Sequence, residues 1–193
     1  MFKKIYLVSL FALLAFGCNT NDDGFYNESN IEAANLVEIE TQGNYTIDNV
    51  LYVRALVPRL VNEIGQSNLL DVRQTTGNAE RFVFSFLLER KQNDGSWQYV
   101  ELQNRFVADH GIADAGSFIL AGLQYDAVAE EYYFRGGLRL TESGEHRLSF
   151  GYNSTSTDKV ELRSESPGNH LRLNIASTVN GLDSAGYFNF IVE

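Results

Sequence analysis

The sequence predicts an all-β domain of antiparallel strands over residues 36–193. Three observations indicate this fold class. Short segments alternate apolar and polar residues with a period of two, turn signals separate them at roughly 8–14-residue intervals, and no strands alternate with long helical segments. We expect an antiparallel β-sandwich of the immunoglobulin-like or jelly-roll kind, and a calycin-like β-barrel is the alternative.

Residues 81–89 are the most strongly patterned segment of the chain. Every second side chain is aromatic or aliphatic and the opposite face is also largely apolar, which is typical of a central strand that is covered on both sides. The turn sequence Asn93-Asp94-Gly95 follows, and residues 97–102 are predicted to return as the hairpin partner. We expect Phe84 and Trp97 to stack in this hairpin.

The segments before this strand predict further strands and one helix. Strands are expected at residues 36–41, 45–47, 50–57 and 69–73. Between the last two, Pro58 begins a short segment that Gly65 ends. Proline at the first helical position and glycine just past the end favour one or two helical turns.

The segments after residue 102 predict a loop followed by a series of strands. Residues 103–117 contain two glycines and are expected to form the loop. His146 lies on the same side of a predicted strand as Leu148, so we expect it to pack against the core. The strands are predicted at residues 118–123, 127–134, 138–141, 146–152, 160–163, 171–175 and 187–192.

The composition is that of an acidic globular protein. Apolar residues make up 44% of the chain, which is enough to build one core without a disulfide or a metal. The 25 Asp and Glu residues outnumber the 15 Lys and Arg residues, giving a formal net charge of −10. This balance argues against a nucleic-acid partner, which requires clustered basic residues. No cofactor is expected.

The N-terminus has the pattern of a secretion signal. Lys3 and Lys4 precede an uncharged, mainly apolar stretch over residues 5–17, and Cys18, the one cysteine of the chain, follows directly. A positive start, a short apolar core and small residues before a cleavage point are typical of a secretory signal peptide. The apolar stretch is shorter than the about 20 residues that span a bilayer.

The residues Leu14-Ala15-Phe16-Gly17-Cys18 resemble the lipobox of bacterial lipoproteins, whose peptidase cuts before a lipid-modified cysteine. The resemblance implies a signal peptide over residues 1–17 and acyl chains, such as palmitate, on Cys18. The lipid would anchor the chain in the cell outer membrane, which makes the membrane its first partner. Residues 18–35, which are polar and rich in Asn, are then expected to form a flexible acidic tether.

Asp22 and Asp23 follow closely after this cysteine. The pair resembles the short acidic export signal of surface-exposed Bacteroidota lipoproteins, and the resemblance implies display on the cell surface. The alternative is an ordinary solvated linker, because acidic linkers are common. No part of residues 36–193 resembles a known domain family.

Tyr132, Tyr133 and Arg135 are the first candidate binding residues. Adjacent residues of a strand point to opposite faces, so we expect at least one of the two tyrosines to be exposed beside the arginine. Exposed tyrosine next to arginine is common at surfaces that contact sugars or peptides. The alternative is that both rings cover the core.

Asp109, His110 and Asp114 are the second candidates, because they fall within the predicted loop at residues 103–117. Loops at one end of a sandwich commonly carry recognition. Two carboxylates and an imidazole are also metal ligands, but their spacing matches no zinc motif, so no metal site is predicted.

The chain contains no nucleophile within a catalytic motif, and no catalytic residue is assigned. The expected function is therefore non-catalytic binding of a glycan, a peptide or a partner protein at the cell surface. Two alternatives stay open. One is a surface hydrolase that uses two unmarked carboxylates, and the other is a calycin-like carrier of an apolar ligand.

Overall fold

The protein is nearly all β, which confirms the predicted fold class. The computed structural model describes residues 27–150, 158–166 and 171–193, and the predicted signal peptide, Cys18, Asp22 and Asp23 lie outside these ranges. The elements are β1 (Glu28–Ala34), β2 (Val37–Glu40), β3 (Val50–Pro58), β4 (Leu60–Asn62), β5 (Leu69–Asp71), α1 (Val72–Thr75), β6 (Arg81–Lys91), β7 (Trp97–Tyr99), β8 (Phe106–His110), β9 (Ile112–Ala115), β10 (Ile119–Asp126), β11 (Glu131–Arg139), β12 (Gly144–Ser149), β13 (Lys159–Glu165), β14 (Arg172–Thr178) and β15 (Phe188–Val192).

One large sheet curls into a half-barrel. Its main path runs β1-β14-β13-β6-β10-β11-β3-β2, and only the β1–β14 pair on this path is parallel. The two outer strands, β1 and β2, are separated in the chain by Asn35 and Leu36 alone. The Asn35 amide donates to the carbonyl of Thr178 in β14 at 3.2 Å, and the Leu36 carbonyl accepts from the amide of Leu56 in β3 at 2.8 Å. The curl therefore brings the two ends of the path together.

Strand β6 is the centre of the sheet, as its apolar pattern predicts. Its first half pairs with β10 and β13, and its second half pairs with β12 and β7. The predicted stacking of Phe84 on Trp97 is wrong, because Phe84 points to the concave side while Trp97 lies opposite Lys91 on the outer side. A hairpin pattern fixes neither the register nor the face on which a ring falls.

Aromatic side chains fill the concave side of the half-barrel. Phe84 packs edge-on against Phe134, with ring centroids 5.6 Å apart, and stacks on Phe86 at 5.8 Å. Phe150 contacts both Phe84 and Phe86. Burying each of these rings stabilises the fold by roughly 1.5–3 kcal/mol.

The predicted loop at residues 103–117 is wrong, because the chain there forms β8 and β9. Strands β10 and β11 pair only close to the turn that joins them and diverge beyond it. β8 pairs with the freed edge of β11, and β9 pairs with the freed edge of β10. Gly111 lies between the two strands with φ +86°, at the point where β10 and β11 part.

The predicted tether reaches too far along the chain, since Glu28–Ala34 is strand β1. Within this strand Ile31 and Ala33 are buried, whereas Asn30, Glu32 and Ala34 are exposed. The polar composition of the segment hides this alternation. Its parallel partner, β14, lies more than a hundred residues away, so no hairpin turn in the sequence predicts the pairing.

The predicted helix at residues 58–64 is also wrong. Pro58 ends β3, and residues 60–62 form β4, which pairs with β5. The helix α1 comes directly after β5 and is capped by Asp71, whose carboxylate accepts from the Gln74 amide at 3.0 Å. In the described part of the chain, no helix has the length and apolar character needed to cross a membrane.

His146 packs against the core, as its position in the predicted strand indicates. Its imidazole is 2% exposed and stacks on Phe190, with ring centroids 5.5 Å apart. Its Nδ1 lies 3.0 Å from the carbonyl oxygen of Gly144. Burial lowers the pKa of His146 from its usual 6.5, because a charged imidazolium is poorly solvated there.

The lowered pKa of His146 predicts a loss of stability in mildly acidic solution. Below about pH 6.5 the unfolded chain binds this proton more readily than the folded chain, so the free energy of unfolding falls as pH decreases through this region. We expect His146→Phe to flatten the dependence between pH 7 and 5, measured by urea unfolding. His110→Phe, which removes an exposed imidazole, is the control and should retain the dependence. Equal slopes in the two variants would contradict the assignment.

Candidate functional site

Tyr132 is fully buried, so the surface contact predicted for it is wrong. The alternation of β11 turns it inward with Phe134. Its hydroxyl donates to the carbonyl oxygen of Ala79 at 2.7 Å, and its ring packs edge-on against Phe82. Burial raises the pKa of Tyr132. Tyr132 therefore holds β11 to the segment that precedes β6.

Tyr133 and Arg135 lie on the outer face of β11, where both are half-buried. The Arg135 guanidinium donates to both carboxylate oxygens of Glu40, at 2.8 and 2.6 Å, and it also pairs with Asp109. It lies 3.8 Å from the ring centre of Tyr52. Its hydrogen bond to Glu40 lowers the pKa of that carboxyl group. Arg135 thus joins β2, β11 and β8, and its donors are engaged within the protein.

A bulge in β8 places Asp109 and His110 beside this arginine. Arg135 is opposite His110, whereas the next residue, Gly136, is opposite Ala108, so Asp109 is the extra residue. A bulge turns two successive side chains toward one face, which lets Asp109 pair with Arg135 while the His110 ring packs on Tyr133 at 4.9 Å.

The structure brings together four of the six predicted binding residues. We call Tyr133, Arg135, Asp109 and His110 the Arg135 surface. Tyr132 is excluded by burial. Asp114 is exposed on β9 opposite Leu120, beside β10, and it takes no part in the ion pairs of Arg135. Among the described residues, no group of three or more His, Cys, Asp or Glu side chains is arranged to hold a metal ion.

A second surface was not predicted from the sequence. Arg147 on β12 makes two hydrogen bonds to the carboxylate of Glu89 on β6, at 2.7 and 3.0 Å. Glu89 is 7% exposed. The guanidinium lies between two aromatic rings, 4.4 Å from the centre of Trp97 and 3.8 Å from that of Tyr187. This stack fixes the geometry of a largely desolvated ion pair at the protein surface.

Two large exposed side chains lie beside this stack, Tyr99 opposite Glu89 and Ile191 two positions along β15 from the register partner of Arg147. Tyr99 on β7 is 67% exposed and Ile191 on β15 is 63% exposed. We call Trp97, Tyr99, Arg147, Tyr187 and Ile191 the Arg147 surface. The period-two spacing of Trp97 and Tyr99 is the one sequence signal for it. The remaining members are brought in by pairing across β12, β6 and β15, which the sequence does not specify.

A third feature is a groove on the outer face of β1, β14 and β13, with a volume of about 630 Å³. The polar side chains that line it come from alternate positions of the three strands and from the segment after β4. They are Glu28, Asn30, Glu32, Glu63, Lys159, Glu161, Arg163, Arg172 and Asn174. The groove is partly open to solvent.

Comparisons with known proteins assign a function to none of these three surfaces. No protein-family model matches the chain, and neither the curated proteins nor the solved structures contain a match.

Proposed function

We propose that this chain is a lipid-anchored protein of the bacterial outer membrane whose half-barrel binds a partner protein without catalysis. The observation that carries the proposal is the Arg147 surface. Arginine, tryptophan and tyrosine are enriched among the few residues that contribute most of the binding energy at protein interfaces, and such residues lie in well-packed, desolvated positions. Arg147 has this setting, because Glu89 and two aromatic rings enclose it.

The exposed side chains around Arg147 favour a protein over a glycan. Ile191 and Tyr99 present apolar surface that the core of a protein interface would bury. Trp97 and Tyr187 each turn one ring face toward the guanidinium, so those faces are not available to stack on a sugar ring.

The partner is tested by photo-crosslinking on intact cells, with a photoreactive residue in place of Tyr99. We expect one crosslinked species of defined mass, and we expect Ile191→Asp to abolish it. Val128, which is 95% exposed in the turn between β10 and β11, is the control position and should give no such species. Crosslinking that is equal at both positions, or unaffected by Ile191→Asp, would reject the proposed interface.

Two further screens test for glycan binding and for hydrolase activity. If glycan binding is lost in Tyr99→Ala but retained in Tyr133→Ala, the ligand of the Arg147 surface is a sugar and not a partner protein. Turnover of a hydrolase substrate that His110→Ala abolishes would favour an enzyme instead.

If Cys18 carries the lipid anchor, replacing it should change the location of the protein completely. We expect Cys18→Ser to remove the acyl acceptor, so the variant stays unprocessed or leaves the membrane fraction, because two or more acyl chains provide the anchoring energy. Fractionation of cells grown with radiolabelled palmitate measures both effects. A wild-type chain that carries no label would contradict the lipoprotein assignment. Export to the outer leaflet, directed by Asp22 and Asp23, remains part of the proposal.

A further inference from the structure

The groove on β1, β14 and β13 has a recess where Ala176 lines it. Ala176 lies between Glu32 on β1 and Glu161 on β13, its register partners on the two sides. The methyl side chain of Ala176 is much shorter than the side chains of Glu32 and Glu161 beside it. The surface of the groove is therefore recessed at Ala176. Ile64 closes one side, where its amide donates to the Glu32 carbonyl oxygen at 2.8 Å.

Six of the seven charged side chains that line the groove form three ion pairs with one another. Lys159 pairs with Glu32 at 2.6 Å, Arg163 with Glu161 at 2.8 Å, and Arg172 with Glu28 at 2.9 Å. A charged ligand would have to compete with these partners. A neutral ligand with many hydroxyl groups can accept from the cations and donate to the carboxylates while every pair stays formed.

Asn174 provides the second observation. It lies between Asn30 and Arg163 across the three strands and is 8% exposed. Its Nδ2 donates to Asn30 Oδ1 at 3.0 Å, but its own Oδ1 is buried and has no hydrogen-bond partner. A buried acceptor without a partner costs about 1–3 kcal/mol, and such groups in native proteins are few.

We propose that the groove binds a neutral sugar residue, with one hydroxyl donating to Asn174 and the ring seated over Ala176. A hydroxyl both donates and accepts, so it satisfies this amide in either orientation of its oxygen and nitrogen. The volume of about 630 Å³ accommodates one or two sugar rings. This site is separate from the Arg147 surface and goes beyond the partner binding proposed there.

The test measures binding of defined sugars to the full chain, purified from membranes in a detergent without a sugar headgroup. Neutral mono- and disaccharides are titrated by calorimetry beside glucuronic acid and glucosamine. We expect saturable binding of at least one neutral sugar and at least tenfold weaker binding of the charged ones. If no neutral sugar binds, or a charged sugar binds more tightly, the proposal is wrong.

Two variants locate the site. Ala176→Leu fills the recess, and Asn174→Leu removes the buried amide while keeping the side-chain size; each should weaken binding at least tenfold. Asn174→Leu should also leave the thermal midpoint unchanged or raised, since it removes an unsatisfied polar group. Thr178→Leu, on the same face of β14 but outside the groove lining, is the control and should bind normally. Binding that survives both groove variants but is lost in Tyr99→Ala would overturn this site and place the sugar at the Arg147 surface.

Discussion

Gly111→Ala is expected to lower the free energy of unfolding by about 3–5 kcal/mol, the largest effect of any single methyl group that we predict. The backbone there has φ +86°, and an added Cβ would lie 2.7 Å from the carbonyl oxygen of Gly122 and 2.9 Å from the Phe134 ring. Neither neighbour can move easily, because Gly122 belongs to β10 and the Phe134 ring is packed in the core. The substitution should therefore separate β8 and β9 from the strands that they complete.

Gly65→Ala is the matched control. Its φ is +85°, almost the same as that of Gly111, but no atom lies within 4 Å of the added Cβ. Gly65→Ala should lower the free energy of unfolding by about 1 kcal/mol, which is the cost of the backbone strain alone. Urea unfolding of both variants measures the difference, with equal m-values indicating that the denatured state is unchanged. If both substitutions lower the stability by the same amount, the close packing at Gly111 has no energetic consequence.

Glu89→Gln is expected to lower the free energy of unfolding by about 3 kcal/mol. It keeps the side-chain shape but leaves the Arg147 guanidinium, held in a desolvated position between two rings, without its counter-charge. In the wild type the hydrogen bond to Glu89 raises the pKa of Arg147. Without Glu89 the guanidinium still stays protonated, because arginine is not deprotonated in proteins, and it is left as an uncompensated charge. Chemical denaturation at pH 7 measures the loss.

Glu145→Gln is the control for this substitution. Glu145 pairs with Lys91 at 2.8 Å on the same sheet, but its side chain is 53% exposed, and exposed pairs contribute less than about 1 kcal/mol. The double variant Glu89→Gln with Arg147→Leu should recover part of the stability, because it removes the uncompensated charge. A Glu89→Gln variant as stable as Glu145→Gln would show that the stack does not depend on its ion pair.

The sequence predicts the features that depend on neighbouring residues. The period-two pattern of β6 identified a central strand, and its return as a hairpin through Asn93-Asp94-Gly95 follows from local turn chemistry. The packing role of His146 came from its position in an alternating strand. In each case the relevant interactions join residues that are close in the chain, or arise from the burial of one apolar face.

The candidate surfaces depend on contacts between residues far apart in the chain. Alternation indicated that Tyr132 and Tyr133 point in opposite directions, but only the curl of the sheet decided that Tyr132 is inside. The Arg147 stack requires pairing of β12 with β6, across 58 residues. The groove requires β1 to lie parallel to β14, across 144 residues between Arg172 and Glu28.

Local signals also failed where the tertiary structure demanded a different conformation. Pro58 and Gly65 favour a helical turn, but Pro58 continues β3 because its partner β11 extends to that position. Residues 106–115 have weak strand patterning, yet they form β8 and β9 because the divergence of β10 and β11 leaves backbone donors and acceptors that must be paired. The sequence by itself determined the class of fold, and it predicts an anchor at Cys18. The tertiary structure decided which side chains meet, because long-range strand pairing sets register and face.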